Sequence, residues 1–182
     1  MKANISGAML VVVWLSVAAA AEAIRPGKPD MGLIEQTCSQ TQHPGLCLSS
    51  LKSDPNSFPA DKTGLALVAL RLVSSNASDI SEGIKVMLND TRLADQPGVQ
   101  QGLYDCLDEY LDASQQLDDS IAALLVKAYG DVDKWVNAAV AAVRTCEASF
   151  SVKPSVLTPR NDNFIKLCQN ALTIAHIAET EN

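Results

Sequence analysis

The chain is poor in the residues that most enzymes and nucleic-acid binders depend on. Aromatics make up 4% of its 182 residues, and it has two histidines, His43 and His176. So few rings leave no platform for stacking bases or sugars. Nothing near either histidine in sequence supplies the nucleophile of a triad or the clustered ligands of a zinc site. The five cysteines contain no Cys-x-x-Cys pair, which removes the common redox and metal-binding arrangements. A glycine-rich phosphate loop is also missing. Lysine and arginine number 14 against 21 aspartates and glutamates, a net charge of −7. Phosphate backbones need cations, so nucleic acid is excluded as a partner. No cofactor and no metal are expected.

Long apolar runs are confined to the start. After Lys2, the segment AMLVVVWLSVAAAA (Ala8 to Ala21) is interrupted only by Ser16, and small residues follow. It is shorter than the roughly 20 residues a membrane span needs, and cleavage after Ala21 or Ala23 suits a secretory signal peptide. Residues 1–23 are therefore expected to be removed, leaving a secreted protein of 24–182 with no membrane segment. Secretion makes disulfides chemically reasonable. Asn76-Ala77-Ser78 and Asn89-Asp90-Thr91 are glycosylation sequons on that route.

What remains reads as helices. Pro26, Gly27 and Pro29 suggest an extended arm, and residues 31–53 carry short helical signals that end at the turn Asp54-Pro55-Asn56. Residues 24–57 form an arm and helical hairpin in this reading, and 58–182 a bundle. Its first helix places Leu65, Val68, Leu72, Asn76, Ile80, Ile84 and Met87 on one stripe, broken by Pro97-Gly98. A second carries Val99, Leu103, Cys106, Tyr110, Ser114, Leu117, Ile121 and Leu124, with Gly130 as its C-terminal glycine. The third stripe runs from Val132 through Trp135, Val136, Ala139, Val143 and Cys146 to Phe150. Asn161 or Asp162 is placed to cap a fourth, with Phe164, Leu167, Ala171 and Ile174 inward. Period-two alternation is absent. The fold class is all-α, an up-down-up-down four-helix bundle preceded by a helical hairpin.

Cys38 and Cys47 bracket a short loop containing Pro44-Gly45. Cys106 and Cys146 lie on inward stripes of consecutive antiparallel helices, within reach of one another. Spacing alone does not choose among the possible pairings. Bridges closing these two loops would contribute about 2.5 and about 4 kcal/mol in the chain-entropy account. Cys168 is left over, on an apolar stripe, as a buried free thiol.

The acidic run Asp105, Asp108, Glu109, Asp112, Asp118 and Asp119 raises the question of paired catalytic carboxylates. Its spacing instead spreads most of them over the outer face of the second helix, as a solvated face or an acidic docking surface. A stapled, acidic, secreted bundle without catalytic machinery reads as a binding protein, suited to a basic protein surface.

The order of features resembles the plant invertase and pectin methylesterase inhibitor family. It is carried by the C-x8-C pair, LSSLKSDP (Leu48 to Pro55), TGLALVAL (Thr63 to Leu70), YGDVDKWVNAAVAAVRTC (Tyr129 to Cys146), TCEASF (Thr145 to Phe150) and TPRNDNFIKLCQNAL (Thr158 to Leu172). The resemblance implies disulfides Cys38–Cys47 and Cys106–Cys146, and a protein that is not an enzyme but blocks one in the cell wall or apoplast. Its members act on pectin methylesterases or acid invertases. Invertase inhibitors carry a Pro-Lys-Phe motif in the turn before the third bundle helix. The matching stretch here is Asp133-Lys134-Trp135, which keeps the lysine and an aromatic but lacks the proline. That favours pectin methylesterase as partner, with acid invertase as the alternative and an extracellular structural or pollen protein as the second. Docking residues are expected at Asp79, Glu82, Asp108, Asp112 and Asp119 on the first two bundle helices, and at Lys134 and Trp135.

Overall fold

A computed structural model of the chain describes residues 31–93 and 96–180. The expected signal peptide (1–23) and arm (24–30) lie outside the described residues. Six α-helices follow one another: α1 (Met31–Ser39), α2 (Pro44–Ser53), α3 (Lys62–Leu88), α4 (Pro97–Leu125), α5 (Tyr129–Ser149) and α6 (Thr158–Glu179). There is no strand among the described residues. Helices α3 to α6 form the bundle, each packed on its neighbour in sequence, and α6 closes the ring against α3. The α1–α2 hairpin lies over the α3–α6 edge, where Cys47, Leu51, Ala69, Leu72, Leu167 and Ile174 meet.

Helix starts follow local chemistry. Asp61 caps α3 by accepting the Gly64 N–H at 2.7 Å. Pro44, Pro97 and Pro159 occupy the first turns of α2, α4 and α6, where a missing N–H costs nothing. Pro44-Gly45 thus opens a helix instead of only turning a loop. Asp54 accepts the Asn56 N–H at 2.8 Å and begins a short 3₁₀ turn, Pro55–Ser57, at the predicted break.

The core is one continuous cluster. Leu65, Ile80, Ile84, Leu103, Leu117, Val136, Val143, Phe164 and Ile174 are all buried in it. On α4 the buried row includes Ala113 and Ser120, while the expected Ser114 and Ile121 are only half-buried. Small residues there let α4 and α5 close up. The two helices are joined by Cys106–Cys146, with Cα atoms 4.4 Å apart. Cys38–Cys47 ties α1 to α2, and Cys168 is a buried free thiol whose pKa burial pushes far up.

Two helix boundaries differ from expectation. Gly130 does not terminate α4 but lies inside α5. The stop is at Lys127, which has φ 59°. The Ala128 N–H reaches the Ala123 carbonyl and the Lys127 N–H reaches Leu124, both at 2.9 Å, which is a Schellman closure. With only three residues between the helices, the left-handed position falls on lysine. Neither Asn161 nor Asp162 caps α6, which begins earlier, at Thr158. Asn161 is instead drawn inward by polar partners on α4 and α5.

Candidate functional site

Those partners form a closed network at one end of the bundle. Glu147, near the C-terminus of α5, accepts four hydrogen bonds. Its Oε1 receives the Thr158 hydroxyl at 2.6 Å and the Ser155 N–H at 3.3 Å. Its Oε2 receives the Ser155 hydroxyl at 2.8 Å and the Asn161 amide Nδ2 at 2.6 Å. The Asn161 carbonyl oxygen in turn accepts the Tyr110 hydroxyl at 2.8 Å. Tyr110 stands edge-on to Phe164, ring centroids 5.6 Å apart. Burial pushes the Glu147 carboxyl up, but the hydrogen bonds from Thr158, Ser155 and Asn161 together hold it below the usual range. Every acceptor is engaged, so the network joins α4, α5 and α6 and leaves no free base.

Both histidines are likewise committed to other polar groups. The His43 ring Nε2 meets Gln169 Oε1 at 2.8 Å, and its backbone exchanges two bonds with the Asn170 side chain, which pins the hairpin to α6. His176 Nε2 lies 2.7 Å from Asp133 Oδ1 and joins the end of α6 to the start of α5. No group of three or more acidic, histidine or cysteine side chains among the described residues is arranged to hold a metal ion.

The expected docking residues fall into separate regions. Asp79 lines an open groove between α3 and α6, about 330 Å³ in volume, with Asn76, Pro159, Arg160 and Asn163. Glu82 is exposed and paired with Lys85 at 2.7 Å. Asp108 and Asp112 are exposed on α4 and Asp119 is half-buried there. The stretch Asp133-Lys134-Trp135 is not a turn, because α5 already begins at Tyr129 and runs through it. Trp135 is half-buried against the core, and the Lys134 ammonium sits 4.1 Å from its ring centroid. Asp79 therefore shares no face with the α4 carboxylates.

Sequence reasoning missed the large apolar side chains that α4 leaves in solvent. Tyr104 and Leu111 lie among the acidic residues just named, and both are more than half exposed. The signal was available, since each follows a residue of the inward stripe, Leu103 or Tyr110, and is turned about 100° out of it.

The two sequons also differ. Asn89 ends α3 in an exposed position, its side chain bonded to the Lys85 carbonyl. Asn76 lies mid-helix in the α3–α6 groove, half-buried, with its carbonyl oxygen buried and unpartnered.

Comparison with known proteins agrees with this architecture. A family model described as plant invertase/pectin methylesterase inhibitor matches residues 32–174. A pectinesterase inhibitor from Actinidia deliciosa is 27% identical over 93% of the chain and 90% of its own length. A putative invertase inhibitor from Platanus acerifolia is 28% identical over 72% of the chain and 74% of its own length. Among solved structures, a mutant form of a pectin methylesterase inhibitor from Arabidopsis superposes with a TM-score of 0.62 at 22% identity. That match covers 82% of the chain and 97% of that structure. The chain belongs to the plant invertase/pectin methylesterase inhibitor family.

Proposed function

We propose that the chain is a secreted inhibitor of pectin methylesterase, which docks its bundle over the enzyme's pectin-binding cleft and leaves the enzyme's catalytic groups intact. The observation that carries the choice of target is the setting of Asp133, Lys134 and Trp135. They continue α5, and Lys134 folds onto the Trp135 ring, so no Pro-Lys-Phe-like turn projects toward a sugar site. The relative from Actinidia deliciosa, named a pectinesterase inhibitor, spans nearly the whole chain and supports the same target. Secretion is supported by the leader-like residues 1–23 and by two disulfides, which persist in oxidising compartments. The glycan, in this reading, is carried by Asn89, which is exposed at the end of α3, whereas Asn76 is half-buried within the helix.

The invertase reading draws on the retained Lys134 and adjacent aromatic, and on the relative from Platanus acerifolia. Titrating the purified protein into a pectin methylesterase assay and an acid invertase assay separates the readings. Stoichiometric loss of pectin demethylation with invertase untouched is the expected outcome. Inhibition of invertase alone would reverse the target, and inhibition of neither would leave an extracellular protein without an enzyme partner.

A further inference from the structure

The groove between α3 and α6 collects polar side chains that the fold leaves unused. Its two concavities, about 260 and about 330 Å³ in volume, share Asn76, Asp79 and Asn163, so they run together. Elsewhere among the described residues, Asn56, Asn89, Asn137, Asn161 and Asn170 all spend their side chains on hydrogen bonds within the protein. Asn76 and Asn163 do not, and both lie in this groove. Asp79 and Arg160, which line it with them, form no ion pair with another described residue. The Asn76 carbonyl oxygen is buried without a partner. An acceptor in that position costs stability unless a donor reaches it from outside the fold.

The lining selects a class of ligand. Asn76 Oδ1 and the Asp79 carboxylate call for donors, the Arg160 guanidinium calls for acceptors, and the Asn163 amide offers both. A hydroxyl donates and accepts at once, so a ring bearing several hydroxyls meets all four. Asp79 opposes a polyanion and Arg160 opposes a metal cation, and their charges cancel, which suits a neutral ligand. Leu72 and Leu167 at one end, and Ile80 and Pro159 at the other, give aliphatic surface for the C–H faces of such a ring. They stand in for the aromatic platform that the chain lacks. The volumes lie near the lower end of small-molecule sites, roughly 300–1,000 Å³, which is room for one or two sugar rings.

We propose that the α3–α6 groove binds a neutral sugar of one or two rings, whose hydroxyls donate to Asn76 Oδ1 and Asp79 and accept from Arg160 and Asn163. The site goes beyond the inhibitor reading and holds whichever enzyme the chain blocks. Without aromatic stacking its affinity is modest, with Kd on the order of 1 mM. Two sources offer the same chemistry: a free sugar, and a methyl-esterified uronide unit of a wall polysaccharide, from which esterification has removed the charge. The site also requires Asn76 to be free of glycan, in keeping with the assignment of the glycan to Asn89.

The test follows the side-chain amide signals of the purified protein by NMR during titration with sucrose, with methyl-esterified digalacturonate and with the de-esterified acid. Saturable shifts of Asn76 and Asn163 with a neutral sugar are expected, with Asn137 on α5 unmoved and a weaker response to the acid. A response to sucrose alone marks a free sugar as the source, and a response to the ester alone marks the wall polysaccharide. Asp79→Ala and Asn163→Ala are each expected to weaken binding by about fivefold to tenfold. Their melting temperatures should match the parent's, because neither side chain has an internal partner. Asn76→Leu removes the orphaned acceptor, so it should melt a few degrees higher while losing the sugar. No saturable shift with either neutral sugar would overturn the proposal, as would tighter binding of the acid. So would a glycan found on Asn76, or variants that bind as the parent does.

Discussion

Glu147 and Glu109 sit on neighbouring helices, and their carboxyl groups are perturbed in opposite directions. Glu147 is enclosed by four donated hydrogen bonds and held below the usual range. Glu109 is held above it, first by partial burial and then by the charges of Asp112, Asp108 and Asp105. One end of the molecule uses acidity to fasten helices together, and the outer face of α4 stores it without internal compensation. Glu147 is only half-buried, and its acceptors are filled from within the fold, which offsets the cost of withdrawing the carboxylate from water. Like charges left close together on a surface reduce stability through self-repulsion, while keeping the protein soluble and steering a partner of opposite charge.

The comparison can be broken from either side. Replacing both Cys106 and Cys146 by alanine removes the bridge beside the Glu147 network, and the largest loss is expected here, about 4 kcal/mol in urea denaturation. Glu147→Ala leaves Ser155, Thr158 and Asn161 without their acceptor, and about 2 kcal/mol should be lost. Because the folded-state pKa of Glu147 is lowered, its contribution is present above the unfolded value, 4.5. It disappears as pH falls through the lower folded value. The stability gap between Glu147→Ala and the parent should therefore close on acidification; a gap independent of pH would mean the ionised carboxylate is not what holds the network.

Lys127→Gly should raise stability by about 1 kcal/mol, since glycine adopts the left-handed conformation at position 127 without strain. A loss would show that the lysine side chain contributes more than its backbone strain costs. Smallest in effect is Asp112→Asn. Relieving repulsion at Glu109 should stabilise the free protein by a few tenths of a kcal/mol, while weakening its complex with the enzyme. That opposition of sign separates a docking charge from a structural one.

The bundle was legible because period 3.6 is a strong signal over helices as long as α3 and α4, and because proline and aspartate mark their starts. Less local features were not. The stop at Lys127 is invisible when a glycine stands three residues later, since propensity favours the glycine and only the short α4–α5 connection places the left-handed residue. Asn161 has the chemistry of a cap, and only the folded chain shows Glu147 and Tyr110 claiming it. Asp133-Lys134-Trp135 matched a turn motif in composition yet lies within α5. The acidic character of α4 was readable, but Tyr104 and Leu111 escaped notice because one apolar stripe had already accounted for the helix.

Docking through the α4 carboxylates is tested most directly by carbodiimide labelling of the inhibitor's carboxylates, read by mass spectrometry with and without pectin methylesterase. Protection of Asp108, Asp112 and Asp119 is expected in the complex, with Asp162 and Glu179 on α6 labelled as in the free protein. Unchanged labelling along α4 in a complex that protects Asp79 would contradict it and move the docking surface to the α3–α6 groove.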